Sequence, residues 1–220
     1  MTHREKLLEI YNKSSDINNI TNIPDTYLTY LKNLGENINN SKGVYTVLIT
    51  LLTHKLLYPL QDVRNHQNHM TDGFSGRSID TKFITPTLKE LNLPSMAESG
   101  WLTRSLEQPY PYNLDYQGKI SGKVVKKAFL NILDFIEKNP EKTENILYLL
   151  LNYAIKIRET NQIKLIPLKS PDKLTIAKII TILEIHFNKN YNTRGGSKLP
   201  VIAFYAIYDI LIFELNRLLA

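Results

Sequence analysis

Val44, Val47, Leu48, Leu51, Leu52 and Leu56 recur at three- and four-residue spacing and then meet Pro59. A chain buries such a stripe as one face of an α-helix, and proline ends it by clashing with the preceding turn and offering no N–H. The period returns in Val125, Phe129, Ile132, Leu133 and Ile136, which predicts a second helix ending near Pro140. Residues 141–158 are apolar on most sides, which predicts a central helix. Further helices are predicted over about residues 3–13, from a cap at Asp25 or Thr26 to about Asn37, over 172–187 and over 199–219. Residues 162–168 have strand-like composition, but Pro167 confines them to an edge at best. The expected fold is mainly α, a multi-helix domain with a long irregular central segment. It divides into an N-terminal helical segment (1–60), a loop-rich segment (61–121) and a helical bundle (122–220).

The chain of 220 residues is long enough to bury a core, and its 43% hydrophobic and 22% charged composition is that of a soluble globular protein. It has no cysteine, which excludes disulfides and cysteine-based zinc sites and fits a cytoplasmic setting. The N-terminus carries no uninterrupted apolar run of the secretory kind. Asp209, Glu214, Asn216 and Arg217 interrupt the last apolar stretch, which reads as a buried helix and not a membrane span. That helix reaches Ala220 without a capping signal, so a piece of a longer protein is expected. The net charge of +6 is compatible with a nucleic-acid partner and does not establish one.

Between the helices, residues 72–116 concentrate the only Trp with Arg77, Arg104 and a Pro/Tyr cluster. Stiff aromatic and polar side chains at that density point to a recognition surface. Gly73 and Gly76 bracket Ser75, and would set Arg77 and Ser78 on a tight turn with the guanidinium projecting. Arginine suits guanine, glutamine suits adenine and glutamate accepts from cytosine, so Trp101, Arg104, Glu107 and Gln108 form a base-reading set. The competing reading is a packed loop with Trp101 buried and Arg104 paired to Glu98 or Glu107. Residues 192–200 add Arg194, Gly195, Gly196 and Lys198 directly before a long helix. Free N–H groups and basic neighbours there would suit a phosphate, and a plain connecting loop capped by Ser197 is the alternative.

A metal-dependent nuclease needs acidic groups for Mg²⁺ and a lysine near the attacking water. Asp80 and Lys82 supply such a triplet, with Asp62 or Asp72 upstream, but DGFSGRS ahead of it reads as loop and not strand. His66 and His69 have H-x-x-H spacing without the further ligands a zinc site requires. Phosphate-loop, dinucleotide and nucleophile-elbow motifs are missing.

Three blocks, DGFSGRSIDTKFITPTLKE, SGWLTRSLEQPYPYNLDY and TRGGSKLPVIAFYAIYDIL, resemble the N-terminal region of bacterial type II restriction endonucleases of the SacI family. The resemblance runs from about Asp62 onward and is strongest in the first two blocks. It implies site-specific cleavage of duplex DNA with Mg²⁺, and a partner DNA methyltransferase that protects the host. Two-fold symmetric sites would favour a homodimer. The acid–acid–lysine core is expected after the matched region, so recognition without the cutting residues is the expected role. Two other readings stand beside it: an all-α protein-interaction scaffold, and a complete nuclease built around Asp62, Asp72, Asp80 and Lys82.

Overall fold

A computed structural model describes residues 1–13, 23–97, 101, 110–120, 122–161, 175–188 and 199–219. The architecture is mainly α, and no strand occurs among the described residues. Residues 162–168 lie outside them. The chain divides into two compact units, Met1–Arg158 and Glu159–Ala220, so the expected boundaries near 60 and 121 do not separate compact bodies.

The first unit opens with α1 (His3–Lys13), α2 (Asp25–Glu36) and α3 (Lys42–Leu57). α2 starts after Pro24, an extended residue that makes no side-chain cap, so neither Asp25 nor Thr26 occupies the cap position. α3 ends at Tyr58, because a residue before proline is forced out of helical geometry. Every residue of α3 from Gly43 to Lys55 is buried, polar ones included. Thr46, Thr50 and Thr53 are tolerated there because each hydroxyl donates to the carbonyl four residues back, at 2.8, 2.9 and 2.7 Å.

α3 is therefore the central helix, a place the sequence assigned to residues 141–158. The helix formed there, after a single turn of 3₁₀-helix at Pro140–Lys142, buries only one stripe: Ile146, Leu147, Leu150, Leu151 and Ala154. The helix preceding it (Lys123–Lys138) buries Val125, Phe129, Ile132, Leu133 and Ile136, as the period predicted, and packs against α2 with Tyr27 stacked on Phe135 at 3.9 Å.

Between α3 and that helix, Gly76–Ile79 (α4), Asp80–Ile84 and Thr85–Glu90 (α5) run end to end as one rod. Asp80–Ile84 is a π-turn, closed by a hydrogen bond from the Thr85 N–H to the Asp80 carbonyl. Pro86 accounts for it: a proline in a helix has no N–H for the carbonyl four residues back and crowds it, and one wider turn relieves both. The residues read as loop from Gly76 onward are thus helical. Lys123–Lys138 is α6 and Thr143–Asn161 is α7.

The second unit contains α8 (Ile176–Asn188) and α9 (Leu199–Leu219), with Phe187 stacked on Phe204 at 6.4 Å. Among the described residues no helix is long and apolar enough to cross a membrane.

Candidate nucleic-acid interface

The rod from Gly76 to Glu90 is fixed on its inner side by a buried polar cluster. Ser75 caps it, its side chain accepting from the Ser78 N–H at 3.2 Å. Asp80 is fully buried; its carboxylate accepts from the Thr85 hydroxyl at 2.8 Å and from the Trp101 indole N–H at 3.2 Å. Burial pushes this carboxyl up to about 6, and the Thr85 and Trp101 hydrogen bonds only partly offset that. Among the described residues no cation pairs with it, so the cluster stores a group that ionises reluctantly.

Trp101 is 1% exposed. Its ring fills the core beside His66 and approaches Gly76 so closely that a Cβ there would sit 2.7 Å from the ring edge. The indole holds the rod down and offers no face to a base, which corrects its expected place in the reading set. Gly76 serves this close approach; the Arg77 turn expected from the glycine pair is replaced by a helix start. His66 stacks on Tyr112 at 3.9 Å and is buried, while His69 is exposed, so the H-x-x-H pair does not converge.

Asp80 and Lys82 are also separated. Two residues apart on the rod, they point to opposite sides: Asp80 inward, Lys82 exposed with its ammonium 5.1 Å from the Phe83 ring centre. Asp62 is engaged by Arg64 in a forked pair at 2.9 and 2.7 Å. Burial opposes ionisation of Asp62, and these Arg64 contacts outweigh it and hold the carboxyl below its ordinary value. Among the described residues no three His, Asp or Glu side chains gather as a metal would require. The described residues therefore do not fit a Mg²⁺ site, and Asp62, Asp72, Asp80 and Lys82 do not form one constellation.

Comparison with known protein families, curated proteins and solved structures returns no match.

The outer side of the rod has a different character. Arg77, Ser78, Thr81, Lys82 and Lys89 are all exposed along it. Its single acid at that end, Glu90, is engaged by Arg4 at 3.0 Å. The result is an exposed helix face bearing Arg77, Lys82 and Lys89, about 22 Å long at the 1.5 Å rise of an α-helix. Arg104, Gln108, Arg194, Gly196 and Lys198 lie outside the described residues.

Two buried polar assemblies that brace this region were not foreseen. Lys55, 3% exposed on α3, donates to Glu137 of α6 at 2.7 Å and to the Gln61 carbonyl at 2.9 Å. The other Glu137 oxygen accepts from the Val63 N–H at 3.0 Å, so one ion pair anchors both helices and the loop between α3 and α4. The second assembly is a relay. His54 and His3 approach at 2.9 Å, His54 and Gln61 at 2.8 Å, and the Gln61 amide donates to the Asp72 carbonyl at 3.0 Å. That last bond fixes Gln61 Oε1 as an acceptor, so His54 donates from Nε2, and with that ring neutral its Nδ1 accepts from the Nε2–H of His3. Burial, and then the charge of His54, bring His3 down to about 4; burial also lowers His54. A lysine inside the apolar run of α3 was the sequence sign of the first assembly. His3 and His54 lie 51 positions apart and carried no such sign.

Proposed function

We propose that this chain is the DNA-recognition region of a type II restriction endonuclease, cutting site-specifically as part of a Mg²⁺-dependent enzyme. The observation that carries this reading is the cationic outer face of the rod. A helix laid in the major groove meets base edges with residues of its first turn, where Arg77 and Ser78 stand, and meets phosphates further along, where Lys82 and Lys89 stand. The buried Asp80–Trp101 contact and the Lys55–Glu137 pair hold that helix rigid, so little ordering is required on binding. The resemblance of residues 72–116 to the SacI family points the same way. A cognate DNA methyltransferase and a homodimer belong to the same proposal.

A gel-shift series on duplex DNA tests it. The full chain is expected to shift random duplexes at low salt and its preferred site at higher salt. Arg77→Ala is expected to weaken the preferred site by about 1–3 kcal/mol while leaving random duplexes almost unchanged. Failure to shift any duplex at low salt would overturn the reading.

A second reading, a protein-interaction scaffold, is favoured by one observation in the other unit. α9 exposes Val201, Phe204, Tyr205, Tyr208, Leu211 and Phe213, each by more than half. A helix apolar on that many sides is normally covered by protein.

A further inference from the structure

We infer that the Tyr58–Leu60 turn is a wedge whose leucine inserts between base pairs of the duplex, beside the bases read by the rod. The inference rests on the DNA-recognition reading and names a second kind of contact in that same interface. Tyr58, Pro59 and Leu60 follow the end of α3 and are all exposed, Leu60 completely and Tyr58 by half. An exposed leucine taken singly needs no explanation. This one differs in how its turn is held. The Tyr58 N–H donates to the His54 carbonyl at 2.9 Å and the Gln61 N–H to the Tyr58 carbonyl at 3.1 Å, which closes the turn around Pro59 and Leu60. The buried Lys55 ammonium donates to the Gln61 carbonyl at 2.9 Å, and the Gln61 side chain bridges His54 and the Asp72 carbonyl. A buried lysine and a buried histidine thus fix a tip made of two apolar residues and a tyrosine.

The same contacts place the turn beside the start of the rod. Phe74, next to the rod's cap at Ser75, stacks on the His54 ring at 3.9 Å, and Tyr58 lies against that ring at 4.7 Å. Gln61 touches Asp72, which precedes Arg77 by five positions. Five residues span at most about 18 Å, or about five base-pair steps. Duplex DNA is the occupant because the tip adjoins the exposed face of Arg77, Lys82 and Lys89, whose charge suits phosphates. Proteins that open a base step do so with Leu, Ile, Phe, Met or Pro side chains. Withdrawal of the leucine from water offsets part of the unstacking, and a turn already held stiff loses little freedom. The opened step bends, so a preference for an easily kinked pyrimidine–purine step is expected.

The test uses the full chain and its preferred duplex, with 2-aminopurine placed at successive adenines of both strands and a dye pair at the ends. Insertion is expected to raise the 2-aminopurine fluorescence several-fold at one step and to shorten the end-to-end distance. Leu60→Ala is expected to abolish both changes and to weaken binding roughly tenfold, with the salt slope unchanged because no phosphate contact is lost. Its melting temperature should match that of the wild type, since Leu60 is fully exposed. Tight binding without a rise at any step, or a rise that survives in Leu60→Ala, would overturn the wedge and leave the recognition reading standing. No binding to any duplex would overturn both. Self-association of the chain that Leu60→Ala abolishes would assign the tip to a second copy and overturn the wedge.

Discussion

The indole N–H of Trp101 donates to the buried carboxylate of Asp80 across 3.2 Å, joining a side chain 21 positions away to the π-turn of the rod. Trp101→Phe keeps most of the ring volume and removes this donor. It is expected to destabilise the first unit by about 1–3 kcal/mol and to raise the Asp80 pKa further. Chemical denaturation at pH 7 measures the first effect, and carboxyl NMR titration the second. Because the ring is buried, duplex affinity of the folded variant should stay within a factor of about two, whereas a base-contacting indole would lose far more.

Asp80 and His3 should oppose each other as pH changes. The folded-state pKa of Asp80 is raised from 3.8 to about 6, so the folded protein prefers its protonated form and loses stability as pH rises from about 4 to 6. The folded-state pKa of His3 is lowered from 6.5 to about 4, so the unfolded chain takes up protons first and stability falls as pH drops through that window. In the wild type the two slopes partly cancel. Asp80→Asn removes the first, so its melting temperature should climb with pH between about 4 and 6 more steeply than that of the wild type. Parallel curves for the two proteins would contradict this.

Lys55→Met leaves Glu137 buried without its cation. The expected cost is about 3–5 kcal/mol, read as a lower denaturant midpoint. Adding Glu137→Gln removes the orphaned charge and retains an acceptor for the Val63 N–H, so the double variant should recover most of the loss. A double variant no better than the single one would show that the charge is not what matters.

Gly76→Ala would place a methyl 2.7 Å from the edge of the Trp101 ring. That ring is buried and cannot swing away, so overpacking of about 1–3 kcal/mol is expected. Thermal unfolding measures it, and Trp101 fluorescence should report the displaced ring.

The helical content was legible because it rests on periodicity: the stripe of α6 is buried, and that of α3 lies within a helix buried on every side from Gly43 to Lys55. Which helix lies at the centre was not, since α3 buries threonines, a histidine and a lysine that only their partners make tolerable. Residues 76–90, expected to be irregular, are helical for a related reason. Glycine, serine and proline signal turns when neighbours alone are considered, but here Gly76 makes room for Trp101 and Pro86 widens a helix instead of ending it. Arg77 and Ser78 are exposed, whereas Trp101 shows that a conspicuous residue serves packing as readily as contact.

Arg158, at the far end of the first unit, donates to the Tyr11 hydroxyl at 2.8 Å and to the Leu91 carbonyl at 3.0 Å, while Lys13 meets Glu144 at 3.4 Å. On the ribosome α1 can meet α3 and the rod early, through His54 and Glu90, but its partners on the last helix of the unit arrive only when nearly the whole unit has emerged. At about 5–20 residues per second, the first helix waits on the order of ten seconds for its last partners. Until then α1 lacks its Arg158 and Glu144 contacts, so the yield of folded protein should depend on translation speed past Arg158.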